Sequence, residues 1–298
     1  MRKMHRTVNL YARRMALELR HLRVLVAVAD AGSFTDAAID LGISQAAASR
    51  TLISLEQILG VRLLYRTSRS VSPTAAGAQV LARARHVLAE AGNLVAEATT
   101  GHTRLRIGHA WSAMGRHTLE FQRRWAALHP DVELHLVRTN SPTGGLAEGL
   151  CDLAVARVPV DESRFASAVV GLERRYCAMA ADDPWARRRT VGLGEMRDRT
   201  LLVDRRTGST TAELWPEGTA PVLAETQDID DWLALIAAGR GIGITPESTV
   251  HQYRREGVAF RAVRDAPPIT VQLIWPRHDP HSSAHAAVAL LTDLYRRR

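Results

Sequence analysis

The stretch SFTDAAIDLGISQAAASRTLISLEQILG, residues 33–60, decides the reading of this chain. Ser33 followed by Asp36 has capping-box form, so a helix is predicted to start there, with Ala37, Ala38 and Leu41 as a short face of small residues. Gly42 supplies a tight turn, and Ser44 is placed to cap a further helix running to about Leu59. At 100° per residue, Ala48, Leu52, Leu55 and Leu59 fall on one side of that helix, and Gln45, Ala46, Ser49, Arg50 and Ile53 on the other. The outer side is short and polar at its leading end. A major groove admits a helix whose first side chains allow close approach and still carry donors and acceptors for base edges; Gln, Ser and Arg meet both conditions.

The same logic extends outward. On the N-terminal side, Leu19, Leu22, Leu25, Val26 and Ala29 form the stripe of an amphipathic helix that closes at Ala31-Gly32. On the other side, Gly60 to Val71 reads as two short strands around a basic turn, a wing, with Arg62, Arg66 and Arg69 as phosphate or minor-groove candidates. Residues 15–73 are therefore expected to form an all-α winged helix-turn-helix, with Ser33 and Thr35 as further DNA contacts. Residues 1–14 are basic and without periodicity, and are expected to be a disordered arm or an extension ahead of a natural start at Met15. Thr74 is placed to cap a long helix over 74–100, in which Val80, Ala84, Val87, Leu88, Ala91, Leu94 and Val95 repeat at helical spacing. One apolar stripe on a lone helix needs a partner.

Beyond a break at Gly101-His102-Thr103, strands and helices alternate. Strands are predicted at Leu105 to Gly108, Val132 to Val137, Leu153 to Ala156, Tyr176 to Ala180, Leu201 to Val203, Val222 to Ala224, Ile242 to Ile244, Val258 to Phe260 and Ile269 to Ile274. Helices are predicted from about Ala113 to Leu128, near Gly145 to Leu150, and from Ser283 onward. The pattern is that of an α/β domain, 104–298, with largely parallel sheets.

The order Ala37-Ala38, Leu41-Gly42-Ile43-Ser44-Gln45, Ser49-Arg50, Leu55-Glu56, Leu59-Gly60-Val61, Leu63, Arg66 and Pro73-Thr74-Ala75-Ala76-Gly77 closely resembles the LysR-type transcriptional regulators, densely over residues 17–77 and more loosely beyond. Ala46 departs from the proline or serine frequent in that family, at little cost in helix propensity. The resemblance implies a linker helix that pairs with its symmetry mate, giving a homodimer or homotetramer on pseudo-palindromic double-stranded operator DNA. It also implies a two-lobed, periplasmic-binding-protein-like effector domain, lobe I over 104–161 and 265–298 and lobe II over 162–264, with two crossover strands and a ligand cleft. RNA polymerase is a further partner to expect of such a regulator.

In open α/β sheets, ligands bind beyond the carboxyl ends of strands. That rule selects His109 to Ser112, the residues Thr139, Asn140 and Ser141, Arg157 and Val158, Thr207 to Ser209, and Thr226 to Asp228 as effector contacts, with Thr245 a further candidate. Ser112 and Ala113 also stand at an expected helix start, where free amides favour an anionic ligand. Trp111, larger than the residue many relatives carry there, either narrows the cleft, stacks on a planar ligand or packs under the rim.

Composition sets limits. The net charge of +8 favours polyanionic partners, although it argues nothing about fold. Cys151 and Cys177 lie far apart without metal spacing, which fits a reducing cytoplasm. Arg13-Arg14 is no export signal, because Glu18, Arg20 and Arg23 interrupt the apolar run, and no stretch is long enough for a membrane span. Enzyme vocabulary fails too. Gly239-Arg240-Gly241-Ile242-Gly243 follows a helix and precedes a strand, the reverse of a phosphate loop, and no GxSxG elbow is present. His278, His281 and His285 could place two imidazoles four apart on one helical turn, but no glutamate or third firm ligand accompanies them, so neither metal nor cofactor is expected, only a small-molecule effector.

Overall fold

The structure, a computed structural model, describes residues 17–66, 71–100, 103–204, 206 and 208–297. Contacts divide the chain near residue 101 into two compact units, with Ala147–Leu150 grouped with the first. The basic arm, residues 1–14, lies outside the described residues.

The first unit opens with α1 (Leu19–Ala31), α2 (Phe34–Asp40) and α3 (Gln45–Leu59). A wing of β1 (Leu64–Arg66) and antiparallel β2 (Val71–Pro73) follows, then the long α4 (Ala75–Thr100). Leu22, Leu25 and Val28 of α1 meet Ala37 and Ala38 of α2 and Ala48, Leu52 and Leu55 of α3 in one buried core. Leu59 is the exception on its face and stays exposed. Leu81 and Ala84 of α4 are buried in the same core, with Val80 and Leu88 packed against it. Farther along, Val87, Leu94 and Val95 are 43%, 69% and 60% exposed. The apolar stripe of this helix therefore serves two ends, one its own domain and one left uncovered. Gly77 marks the close approach of α4 to the wing, since a Cβ there would stand 1.8 Å from the Leu63 carbonyl oxygen.

The second unit is α/β and two-lobed. Lobe I holds β3 (Thr103–His109), β4 (Val132–Arg138), β5 (Leu153–Ala156), β6 (Phe165–Glu173) and β13 (Ile269–Pro276) in the order β4-β3-β5-β13-β6. Helices α5 (Thr118–Leu128) and α8 (Ala284–Arg296) cover it, contributing Phe121 and Trp125, and Leu290, Leu291 and Leu294, to its core. Lobe II holds β7 (Arg175–Ala180), β8 (Thr190–Val191), β11 (Gly243–Pro246) and β12 (Val258–Val263) in the order β11-β7-β12-β8. The parallel pair β9 (Thr200–Val203) and β10 (Val222–Glu225) joins it through a bridge between Leu201 and Ile242. Helices α6 (Ile229–Ala237) and α7 (Glu247–Gln252) complete the lobe.

Four expectations are corrected. Both sheets are mixed: β13 runs antiparallel to β5 and β6, and β7 antiparallel to β11 and β12. β6 was not foreseen, and it pairs with β13 in the first sheet, so residues 165–173 belong to lobe I and the chain passes to lobe II at Arg174, not at 162. A bulge between Val271 and Gln272 explains the miss. It spaces the exposed residues Ser167, Val169 and Leu172 by two and then three, which erases the strand alternation. No helix forms at Gly145 to Leu150, where Gly144, Gly145 and Gly149 take φ of 60°, 92° and 70° and the chain makes turns. Nor does a helix start at Ala113. Gly115–His117 is one 3-10 turn and α5 begins at Thr118, whose Oγ1 accepts the Met114 amide at 3.2 Å.

Candidate functional site

Two sites emerge, one in each unit. In the first, Ser33 Oγ accepts the amides of Thr35 at 3.2 Å and Asp36 at 3.4 Å, fixing the start of α2. The return bond from Asp36 expected of a capping box is absent among the described residues. Gly42, with φ of 65°, turns the chain, and Ser44 Oγ caps α3 by accepting the Ala47 amide at 3.2 Å. Gln45, Ala46 and Arg50 are consequently exposed on the leading turns of α3, with Ser49 half-buried between them and Thr35 exposed on α2. Glu56 ties this helix to the wing: its Oε1 accepts the Leu63 amide at 2.8 Å. Thr74 Oγ1 donates to the Arg62 carbonyl at 2.8 Å and accepts the Gly77 amide at 2.9 Å, so one hydroxyl closes the wing and caps α4. Arg62 is exposed at the start of the wing. Arg66 lies on β1, opposite Val71, while Arg69 falls outside the described residues.

The second site is a cleft between the lobes, about 600 Å³ with its open mouth included. Of the effector contacts expected from the sequence, Ala110, Trp111, Ser112, Arg157, Val158, Gly208, Ser209 and Thr245 line it. The rest do other work. The Ala113 amide donates to Gln252 Oε1 at 3.0 Å, and Asn140 Nδ2 to the Gln227 carbonyl at 3.0 Å. Ser141 Oγ bonds Thr143 at 3.1 Å, and Thr226 Oγ1 donates to the Val203 carbonyl at 3.3 Å. Asp228 caps α6 through the amides of Asp230 and Asp231. Thr139 does not line the cleft, and Thr207 lies outside the described residues. Since α5 starts five residues beyond Ala113, Ser112 and Ala113 offer no helix N-terminus to an anion. The helix start that would favour an anionic effector at Ser112 is therefore not formed.

Beneath the cleft runs a buried polar cluster. Arg157 Nε and Nη2 donate to Glu173 at 3.1 and 3.0 Å, and its Nη1 and Nη2 also donate to the carbonyls of Ser112 at 2.9 Å and Ala113 at 2.7 Å. Glu173 further accepts the Ser248 hydroxyl at 2.7 Å and the Tyr295 hydroxyl at 2.6 Å. Burial alone would lift the Glu173 carboxyl, but the Arg157 charge and these hydrogen bonds outweigh it and hold it below the usual carboxylate range. Burial and the Glu173 charge push the Tyr295 phenol above its ordinary value. The Ser112 hydroxyl meets that of Ser248 at 2.8 Å, so the cluster spans both lobes. Higher on the wall, Thr245 is 1% exposed and its hydroxyl is without a partner among the described residues.

Asp204, Trp232, Thr210 and Thr249 also line the cleft and were not selected as contacts from sequence. Asp204 directly follows β9, so the strand-end rule had the means to find it; Trp232 faces the cleft from a helix, where no such rule applies.

The sequence matches two family profiles, "Bacterial regulatory helix-turn-helix protein, lysR family" over residues 19–78 and "LysR substrate binding domain" over residues 98–295. It is 32% identical over 289 residues to "Uncharacterized HTH-type transcriptional regulator YnfL" of Escherichia coli K12, spanning 91% of this chain and 96% of the relative. It is 30% identical over 247 residues to "HTH-type transcriptional regulator BenM" of Acinetobacter baylyi, spanning 78% of this chain and 81% of the relative. The fold resembles that of the LysR family regulator CbnR, with a TM-score of 0.68 at 24% identity, over 94% of this chain and 99% of the other.

His109, at the end of β3, yields a test of the second unit's stability. Burial first, then the charges of Arg157 and Arg138, lower its pKa to about 4, and its Nδ1 has no partner among the described residues. A folded value below the unfolded one means that the unfolded chain binds more protons between pH 6.5 and 4. Stability is thus full above pH 6.5 and falls toward pH 4, by at most about 3 kcal/mol from this group. Urea midpoints of the wild type should drop between pH 7 and pH 5 more steeply than those of His109→Gln; parallel slopes would remove the assignment.

Proposed function

This chain belongs to the LysR family of bacterial transcriptional regulators, and from that premise we propose that Gln45, Ser49 and Arg50 read operator bases while Arg62, Arg66 and Arg69 hold the DNA backbone or minor groove. The chain is a DNA-binding transcription regulator with an effector-binding domain, and its family comprises regulators, not enzymes. Ser33, Thr35 and Ala46 complete the proposed DNA surface, Ala46 by allowing close approach. The exposed leading turns of α3 support this reading. No described helix is long and apolar enough to cross a membrane. Because its target is operator DNA, the reading has it act in the cytoplasm, with RNA polymerase as a further partner.

The effector is proposed to bind in the inter-lobe cleft, in contact with Trp111, Ser112, Val158 and Thr245. The observation that carries this is the Thr245 hydroxyl, buried in the cleft wall and without a partner among the described residues, a group whose burial is costly until something bonds it. Thr139, Asn140, Ser141, Thr226 and Asp228 are assigned instead to shaping the loops around the cleft. The exposed Val87, Leu94 and Val95 of α4 are proposed to meet the same helix of a second copy, in a homodimer or a tetramer built from it.

Three outcomes are expected. Arg50→Ala should lose roughly 1 to 3 kcal/mol on operator DNA and relax base preference, whereas Arg62→Ala should weaken all sequences alike and lower the salt slope by about one unit. Unchanged gel shifts for both variants would sink the DNA assignment. Leu94→Glu should sediment as a monomer at micromolar concentration, since dimerisation would bury its charge; a persistent dimer would refute the helix pairing. Finally, a ligand found by thermal shift should stabilise the chain by about 2.7 kcal/mol at 100 times its Kd and alter the operator footprint. Ser209→Trp, which fills the cleft from its half-buried wall, should abolish both effects and leave ligand-free operator affinity intact. A ligand response that persists in that variant would place the sensor elsewhere.

A further inference from the structure

Trp111 lines the cleft and bridges its two sides. It stands on the loop after β3 in lobe I, and its indole Nε1 donates to Asp204 Oδ2, on the loop after β9 in lobe II, at 2.9 Å. Its ring lies 5.2 Å from that of Trp232 with the planes 58° apart, and its carbonyl accepts the Tyr253 hydroxyl at 2.7 Å. The two lobes are thus joined across the ligand space by an aromatic N–H donor seated on a carboxylate. Asp204 is 3% exposed and also accepts the Arg206 amide at 2.8 Å, which fixes the carboxylate in place.

The charges of the cleft point the same way. Arg157 is the one cation among the described lining residues, and its guanidinium is already divided between Glu173 and the Ser112 and Ala113 carbonyls. A carboxylate or phosphate entering here would give up water, face Asp204, and find no described cation left to answer it. A flat ring with an N–H meets the opposite conditions: an acceptor at Asp204, an aromatic wall at Trp232, and the Thr245 hydroxyl, which has no partner among the described residues.

We propose that the cleft selects an aromatic molecule bearing an N–H donor and no negative charge, which takes the place on Asp204 that the Trp111 indole occupies. Exchange of one donor for the other releases the Trp111 loop from lobe II, so ligand occupancy changes how the lobes are tied. The proposal rests on the reading of this cleft as the effector site.

Three probes with one ring and three charges test it: indole, tryptamine and indole-3-acetate, titrated calorimetrically into the full chain. Indole and tryptamine should bind, and indole-3-acetate at least tenfold more weakly. Trp111→Ala, which removes the competing indole, should tighten both binders by a similar factor. Asp204→Asn should narrow the gap between tryptamine and indole-3-acetate. Indole-3-acetate binding as tightly as the others, or no probe binding to either the wild type or Trp111→Ala, overturns the proposal. Ser209→Trp separates the two levels of failure. If it abolishes tight indole-3-acetate binding, the site is right and the ligand class wrong; if any probe binds it as it binds the wild type, the site itself is wrong.

Discussion

The ion pair between Arg157 and Glu173 is the interaction on which the sensor half depends. It sits where five pieces of chain meet: the end of β5, the end of β6, the Ser112-Ala113 loop, the start of α7 through Ser248 and the end of α8 through Tyr295. Two charges taken out of water are tolerated only when nearly all their lone pairs and protons are matched, and here they are. Removing one partner of such a pair typically costs about 3 to 5 kcal/mol, because the other charge stays behind unpaired. The pair also determines the cleft's chemistry, since it consumes the cation that a view of the lining residues alone would offer to an anion.

A comparable economy of polar groups holds the DNA-reading half together. Glu56 of α3 receives the Leu63 amide, and Thr74 joins the wing to α4. The helix that presents the proposed base contacts is therefore braced by the wing that presents the backbone contacts. Gly77 completes this by letting α4 pass against the Leu63 carbonyl, an approach that no residue with a side chain permits.

That half was legible because its information is local. Caps and turns at Ser33, Gly42, Ser44 and Thr74 act over four or five residues, and the structure forms the three helix starts and the turn. The sensor half was legible in its strands, and less so wherever distant residues decide. The helix expected at Ala113 gives way to a loop whose amide bonds Gln252, 139 residues away. β6 hides its alternation behind a bulge at Val170, opposite the step from Val271 to Gln272 in β13. In the cleft, the strand-end rule found Trp111, Ser112, Val158 and Thr245 but also took in Asp228 and Thr226, whose polar groups are satisfied within their own lobe. Strand ends say where a ligand can sit; hydrogen-bond partners say which groups are left to receive it.

The same distinction governs charge. A chain with net charge of +8, and arginine for nearly all its basic residues, suggests anionic ligands everywhere. Such a sum describes the field felt at a distance, which suits DNA, the polyanion that exposed Arg50 and Arg62 are proposed to meet in high dielectric. Inside a cleft the nearest few groups decide, because desolvation removes the screening that lets distant charges average out. There the described cation is spent on Glu173 and the donor of Trp111 rests on Asp204, so the net charge of the chain says little about the ligand that the cleft is proposed to take.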